Sequence, residues 1–277
     1  QIANLFGRAN NAKTSYKRLA SFMEETKEAD QADKNKNAIR KTKLGDLEFK
    51  DVAYRYPGAD LHTLKDINLT IKEGEKVAIL GRNGSGKSTL MKLASGLFKA
   101  SDGLVMYDGV DIRQLHSDDL SNSVGIVLQD VQLFSGSVKE NITMGRKEIS
   151  QEDLINSGKL SGLDEFITKI PGGYDLQLSD GGKGLSGGQR QSIALSRSLV
   201  HKPTHLIFDE PTSAMDMNAE SSFINQADAI LKDSTLLIVT HRMPLLNLVD
   251  RIIIMNEGQI VEDGSKDEVI KKINPSS

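Results

Sequence analysis

Gly81-Arg-Asn-Gly-Ser-Gly-Lys-Ser88 has the spacing G-x-x-x-x-G-K-S and joins an apolar run over residues 76–80 to a helical pattern over 90–98. Glycines at these positions let consecutive backbone N–H groups wrap a polyphosphate. The helix that follows turns its partial positive charge toward the same anion. Lys87 then reaches the terminal phosphates, and Ser88 offers a hydroxyl to Mg²⁺. A second candidate is His205-Leu-Ile-Phe-Asp209-Glu210, an apolar run that ends in two carboxylates. In open α/β sheets, ligands bind beyond the carboxyl ends of strands. Asp209 is placed there to hold Mg²⁺ through water, and Glu210 to orient and deprotonate an attacking water. A third is Leu185-Ser186-Gly187-Gly188-Gln189. Ser186 has the residue type of a helix N-cap, and Gly187 and Gly188 can present N–H groups to an anion.

These groups need strands that stop at the site and helices that start from it. Residues 47–54 and 67–71 have β-forming character. Residues 76–80, 124–128, 205–208, 236–239 and 252–255 are short runs that read as buried strands. Helical patterns cover 90–98, 151–160, 163–170 and 189–200, with Pro171-Gly172-Gly173 as a turn. The alternation of strand and helix predicts a mostly parallel sheet with helices on both faces. Residues 132–199 contain no evident strand and read as a helical insertion. Residues 1–25 include the spacing of an amphipathic helix, and 26–43 form a charged linker with Ile39 as its large aliphatic. The folded domain occupies 44–277.

The 277 residues allow one large domain or two small ones. Lys plus Arg is 35 and Asp plus Glu is 38, a formal net charge of −3. That balance argues against a nucleic-acid binder, which carries a basic excess. The absence of cysteine excludes disulfides, thiolate metal sites and cysteine nucleophiles, and fits a reducing compartment. No apolar run approaches the roughly 20 residues that span a bilayer. The chain opens at Gln1, inside a helical pattern, and reads as a piece of a longer protein whose remainder can hold membrane spans.

Together the motifs resemble the nucleotide-binding domain of ATP-binding-cassette (ABC) transporters, over about residues 44–273. Leu185 to Gln189 matches the family signature. Gln129 in Val-Leu-Gln-Asp matches the Q-loop glutamine. Ser213-Ala-Met-Asp216 matches the D-loop, with Met215 where the family commonly has Leu. His241 in Val-Thr-His-Arg matches the switch histidine. The resemblance implies an α/β P-loop fold with a RecA-like core, an antiparallel β subdomain and a helical signature subdomain over about 132–199. It implies ATP and Mg²⁺ as ligands. ATP would be held by Tyr56 and by Gly81, Arg82, Asn83, Gly84, Ser85, Gly86, Lys87, Ser88 and Thr89. Ser88, Gln129 and Asp209 are the implied metal donors, and Glu210, His241 and Gln129 the implied catalytic residues. Two cassettes pair head to tail in this family. Leu185, Ser186, Gly187, Gly188 and Gln189 of one chain, with Asp216 of its D-loop, would then serve the other chain's ATP. Tyr56 matches the aromatic that stacks on adenine. Tyr54, two residues earlier on the same strand face, competes for that place.

Residues 130–144 and Ser179-Asp180-Gly-Gly-Lys-Gly184 resemble exporter segments, with Asp180 where the family commonly has Glu. The helix before Glu25 then reads as the end of a last membrane helix. Within the family, Asp108-Gly-Val-Asp-Ile-Arg113, Leu185 to Ala194, Asp209-Glu-Pro-Thr-Ser-Ala-Met-Asp216 and Thr240-His-Arg-Met-Pro244 look most like bacterial type I secretion ATPases that export large toxins and adhesins. That likeness implies a homodimer, a transmembrane domain on the same polypeptide, a periplasmic adaptor, an outer-membrane channel and an exported protein. It implies no nucleic-acid partner, and a place on the cytoplasmic face of a bacterial inner membrane. A lipid or drug exporter would share every catalytic motif. A non-transport cassette acting on nucleic acid is opposed by the charge balance, and a binding-only cassette by the presence of both Glu210 and His241.

Overall fold

The computed structural model describes residues 38–273, so the helix expected over 1–25 and most of the linker over 26–43 lie outside the described residues. The chain divides into two units, Gln1–Arg40 and Lys41–Ser277, and the second holds the elements that follow.

β1 (Leu47–Tyr54) shows why its alternation is imperfect in the sequence. Leu47 and Phe49 are buried, and then the inward phase slips by one residue to Val52 and Tyr54. The slip is a β-bulge: pairing with both neighbours shifts register there, and Asp51 takes a left-handed φ of 49°. β2 (Leu64–Ile71) begins earlier than expected, and β3 (Lys76–Gly81) runs straight into the glycine loop. α1 (Lys87–Ala94) also begins earlier than its apolar pattern and ends before Phe98. Its first residues, Lys87, Ser88 and Thr89, are polar because the site uses them, and that hides the helix start.

The chain continues through β4 (Asp102–Tyr107), β5 (Val110–Asp111), α2 (Ser117–Ser123) and β6 (Val124–Val127). Next come β7 (Gly136–Ser137), α3 (Val138–Thr143), α4 (Gln151–Leu160), α5 (Asp164–Ile167) and β8 (Gln177–Leu178). Thus 132–199 is mainly helical but contains one short antiparallel pair, β7 with β8, which corrects the expectation of no strand there. The helix expected over 163–170 is a single turn, α5. α6 (Gly187–Leu199), β9 (His205–Asp209), α7 (Met217–Asn225), α8 (Ala227–Leu231) and β10 (Thr235–Val239) follow. The chain then forms β11 (Arg251–Asn256), β12 (Gln259–Ser265) and α9 (Lys266–Ile273).

Two larger sheets result. One has six strands in the order β12-β11-β3-β10-β9-β6, parallel from β11 to β6 with β12 antiparallel at the edge. The other has four antiparallel strands in the order β2-β1-β4-β5. The inner strands of the six-stranded sheet, β9 and β10 above all, are buried on both faces, which is why they read as continuous apolar runs. Leu237 and Val239 of β10 join a core with α1 and the antiparallel sheet. Leu236 and Ile238 join a second core with α6, α7, α8 and α9. A third cluster, including Leu133, Ile142, Leu154, Ile167 and Ile193, packs the helical segment by itself.

Register places the chemistry. Val239 pairs with Ile79 on one side and Asp209 on the other, and Phe208 pairs with Val127. The glycine loop, Glu210, His241 and Gln129 therefore leave the same edge of one sheet.

Candidate functional site

A cleft of about 720 Å³ opens at that edge. It is lined by Tyr56, Thr63, Asn83, Gly84, Gly86, Lys87, Ser88, Thr89, Gln129, Asp209, Glu210, Ser213, Val239, His241 and Arg242. Most of the sequence-predicted nucleotide, metal and catalytic residues therefore meet in one place.

The loop has its shape for steric reasons. At Gly81 (φ 152°) a Cβ would lie 2.3 Å from the Met255 carbonyl oxygen, and at Gly86 (φ 100°) it would lie 2.6 Å from Leu64. Gly86 is the N-cap of α1 and brings no side-chain acceptor, so the first helical N–H groups face the cleft without a side-chain cap. Lys87 is buried, and its Nζ donates to the carbonyls of Gly81 at 2.8 Å and Arg82 at 2.9 Å. Burial holds its pKa below the usual lysine value, and the carboxylates of Asp209 and Glu210 oppose that. Gly81, Arg82 and Ser85 belong to the loop but are not among the residues lining the cleft. Ser85 is buried, and its Oγ has no hydrogen-bond partner.

Asp209 is buried at the end of β9. Burial raises its pKa, while a hydrogen bond with Ser88 and the charge of Lys87 pull it down. Ser88, Gln129 and Asp209 thus offer a hydroxyl, an amide and one carboxylate, all on the cleft wall. Among the described residues no group of three or more His, Cys, Asp or Glu forms a self-sufficient metal cage. The donor set fits Mg²⁺, which is bound by one or two carboxylates together with substrate phosphates and water.

Glu210 has a left-handed φ of 53°. Its N–H donates to the Val239 carbonyl at 2.9 Å. Its Oε1 is buried without a hydrogen-bond partner and lies 3.6 Å from His241 Nε2. Burial raises the Glu210 pKa, with His241 opposing. A carboxyl whose pKa is raised by burial, with one oxygen free of hydrogen bonds on a residue that lines the cleft, is suited to take a proton.

The two tyrosines separate. Tyr56 lies past the end of β1, is 37% exposed, and shares a hydrogen bond of 3.2 Å with Thr89 Oγ1. Tyr54 is buried and stacks on Phe98, with its ring edge-on to Tyr56 at 5.1 Å. The expectation that both share a strand face is corrected, because β1 ends at Tyr54. Tyr54 buttresses the ring that faces the cleft.

Leu185, Ser186, Gly187, Gly188, Gln189 and Asp216 do not line the cleft. Ser186 is the N-cap of α6, and with Gln189 it forms a capping box. Asp216 caps α7, accepting from the Ala219 N–H at 2.9 Å. A Cβ on Gly187 would meet Ala214 Cβ at 3.0 Å, so the signature turn packs closely on the D-loop.

Sequence reasoning missed several participants. Thr63, Ser213, Val239 and Arg242 line the cleft. Arg242 Nη2 donates to the carbonyls of Ser213 at 3.1 Å and Met215 at 3.3 Å, and its Nη1 pairs with Glu220 at 3.1 Å. Gln191 bridges α6 to the loop after β9. Arg242 stands beside the histidine of the Thr-His-Arg run, which could have flagged it. Gln191 had no flag.

The family model described as ABC transporter matches residues 64–213. A protein described as a toxin RTX-I translocation ATP-binding protein, from Actinobacillus pleuropneumoniae, is 40% identical over 230 residues, 83% of this chain and 32% of its own length. A Staphylococcus aureus protein described as a multidrug export ATP-binding/permease protein is 39% identical over 83% of this chain and 40% of its own. Among solved structures, a bacterial Atm1-family ABC exporter with ATP bound aligns with a TM-score of 0.79 at 30% identity, covering 86% of this chain and 41% of that one. The chain spans about a third of the length of the toxin-translocation relative.

Proposed function

Because the chain belongs to the ABC transporter family, we propose that it binds ATP in the cleft beside Lys87 and hydrolyses it to drive export. The observation that carries this reading is Glu210 Oε1, buried and unpartnered, 3.6 Å from His241 Nε2 at the mouth of the phosphate loop. Lys87 exchanges its two loop carbonyls for phosphate oxygens, and the amides at the start of α1 complete the cradle. Ser88 and Asp209, with Gln129 nearby, would hold Mg²⁺, which would supply charge neutralisation for the phosphates. Glu210 orients water and takes its proton, and His241 fixes the Glu210 carboxylate beside the terminal phosphate. Tyr56 offers an exposed ring face for adenine.

The signature residues lie away from the chain's own cleft, which supports a head-to-tail pair in which Ser186 and Gly188 of a second copy close over the ATP. Closure excludes water and strengthens each phosphate contact. For cargo we favour an exported protein, moved by type I secretion through a periplasmic adaptor and an outer-membrane channel. The support is the toxin-translocation relative at 40% identity. The multidrug-export relative at 39% supports a second reading, small-molecule export. In either case the chain would work at the cytoplasmic face of an inner membrane, joined to a transmembrane domain.

The test is Glu210→Gln. ATP binding should persist while turnover falls about 10²–10⁴-fold, the range for a lost general base. Turnover near the parent's would remove Glu210 from this role. In cells, the same substitution in the intact transporter should remove one large protein from the medium. An unchanged secreted profile would favour the small-molecule reading.

A further inference from the structure

Gln191 is 1% exposed on α6, the helix that begins in the signature. Its side-chain amide fills the space between that helix and the loop leaving β9. Nε2 donates to the Glu210 carbonyl at 2.8 Å, and Oε1 accepts from the Ala214 N–H at 2.9 Å. A longer contact joins Nε2 to Ser213 Oγ at 3.4 Å. Both ends of one amide are therefore committed to one short loop, 210–214.

That loop needs holding. Glu210 sits at φ 53°, a conformation a non-glycine residue keeps only where its surroundings impose it. Three bonds to its backbone fix it, one of them local, from the Ser213 N–H to its carbonyl at 3.2 Å. The Val239 carbonyl takes its N–H from within the sheet, and Gln191 donates to its carbonyl from outside the sheet. The carboxylate is met by the His241 backbone but has no hydrogen bond at Oε1, so its aim depends on that contact and on the backbone that carries it.

We propose that Gln191 is the positioning residue for Glu210: through the Glu210 carbonyl it ties the aim of that carboxylate to the seating of the signature helix. The inference rests on the reading of Glu210 as the base. Glutamine suits the task because the gap needs a donor and an acceptor at the end of one side chain. Glutamate supplies no donor, and methionine supplies neither. The same helix begins with Gly187 and Gly188, which serve the other copy's ATP in the paired form. A shift of that helix on closure is then passed within one chain to its own base. Occupancy of one site thereby biases the geometry of the second, and the bias runs both ways.

The test measures steady-state ATP hydrolysis by the full chain carrying Gln191→Glu or Gln191→Met. Ser196→Ala serves as the control. Ser196 is buried on the same helix, but its hydroxyl pairs with Ser157 of α4 at 2.8 Å rather than with the loop. Both Gln191 variants should lower kcat by about 10²-fold, the cost of a small misplacement, with KM within about twofold of the parent. Ser196→Ala should leave kcat near the parent's. In a Glu210→Gln background, Gln191→Glu should cause no further loss, because the two act on one step. Methionine keeps the length and accepts burial, so Gln191→Met carries the test if Gln191→Glu does not fold. A kcat near the parent's in a folded Gln191 variant would overturn the proposal. So would an equal fall in Ser196→Ala, or an additive loss in the Glu210→Gln background. If Glu210→Gln alone hydrolyses ATP at the parent's rate, the reading of Glu210 fails instead, and that result is read without any Gln191 variant.

Discussion

Asp209 and Glu210 are consecutive carboxyls at one strand end, yet they meet different surroundings. Asp209 has Ser88 as a hydrogen-bond partner and Glu210 has the His241 backbone, but one Glu210 oxygen is left without a partner. Burial raises both pKa values in the folded chain. A carboxyl with a raised folded pKa binds more protons when folded than when unfolded. Stability therefore falls as pH rises from the unfolded pKa to the folded one, and it stays lowered above that. Glu210→Gln removes this cost, so it should raise the melting temperature at about pH 7. The gain should vanish at about pH 4, at or below the ordinary carboxylate range. Melts of both chains at the two pH values check this, and a variant no more stable at neutral pH would mean that His241 and Lys87 offset the burial fully. With Glu210 as the proposed base, the sign for turnover is opposite, because proton transfer would need it ionised. Hydrolysis should drop on the acid side with an apparent pKa above the ordinary glutamate range. For Lys87→Ala, an ATP titration should show affinity weakened by about tenfold or more, the size of one charge-assisted hydrogen bond. Unchanged affinity would place ATP elsewhere.

At the scale of elements, Ser186 carries two separable jobs. As N-cap and half of a capping box it starts α6, so Ser186→Ala should cost about 1 kcal/mol in denaturant unfolding of the single chain. In the proposed pair the same change would also remove a contact with the partner's ATP, so hydrolysis should fall by more than the lost stability explains. Equal and small effects would reduce Ser186 to a cap. The elements that were legible in the sequence are those whose physics is local or uniform. Residues 151–160 form a helix with its period intact, and β9 and β10 are apolar because both of their faces are covered. β4 opens on Asp102-Gly103 and buries only its last half, and β12 buries none of its residues fully, so neither shows a period. The start of α1 is masked by the polar residues the cleft demands. The phosphate loop, Asp209, Glu210 and His241 were legible because their chemistry fixes residue type and spacing. Gln191 and Arg242 were not. They act through backbone groups far along the chain, at Glu210, Ala214, Ser213 and Met215, and the fold alone brings them there.

At the scale of the whole molecule, the chain presents a cleft on one surface and a signature turn that does not reach it. A site completed by a second copy makes two demands on solution behaviour. Hydrolysis should rise faster than linearly with chain concentration across the range where pairs form, and a strictly linear rise would count against pairing. Complementation is the sharper demand. A chain with Glu210→Gln keeps its signature but lacks its base, and a chain with Ser186→Arg keeps its base but blocks the partner's ATP. Each alone should be nearly inactive. In a mixed pair, the intact cleft of the second chain faces the intact signature of the first, so one of the two sites is whole. If the two sites worked independently, equal mixing of a symmetric dimer would restore roughly a quarter of the parent's turnover, since half the pairs are mixed and each has one working site. Two chains that worked alone would give no recovery on mixing. A recovery well below a quarter, with mixed pairs shown to form, would mean that the defective site in each pair holds back the whole one. That is the direction expected if the signature helix and Glu210 are mechanically joined through Gln191.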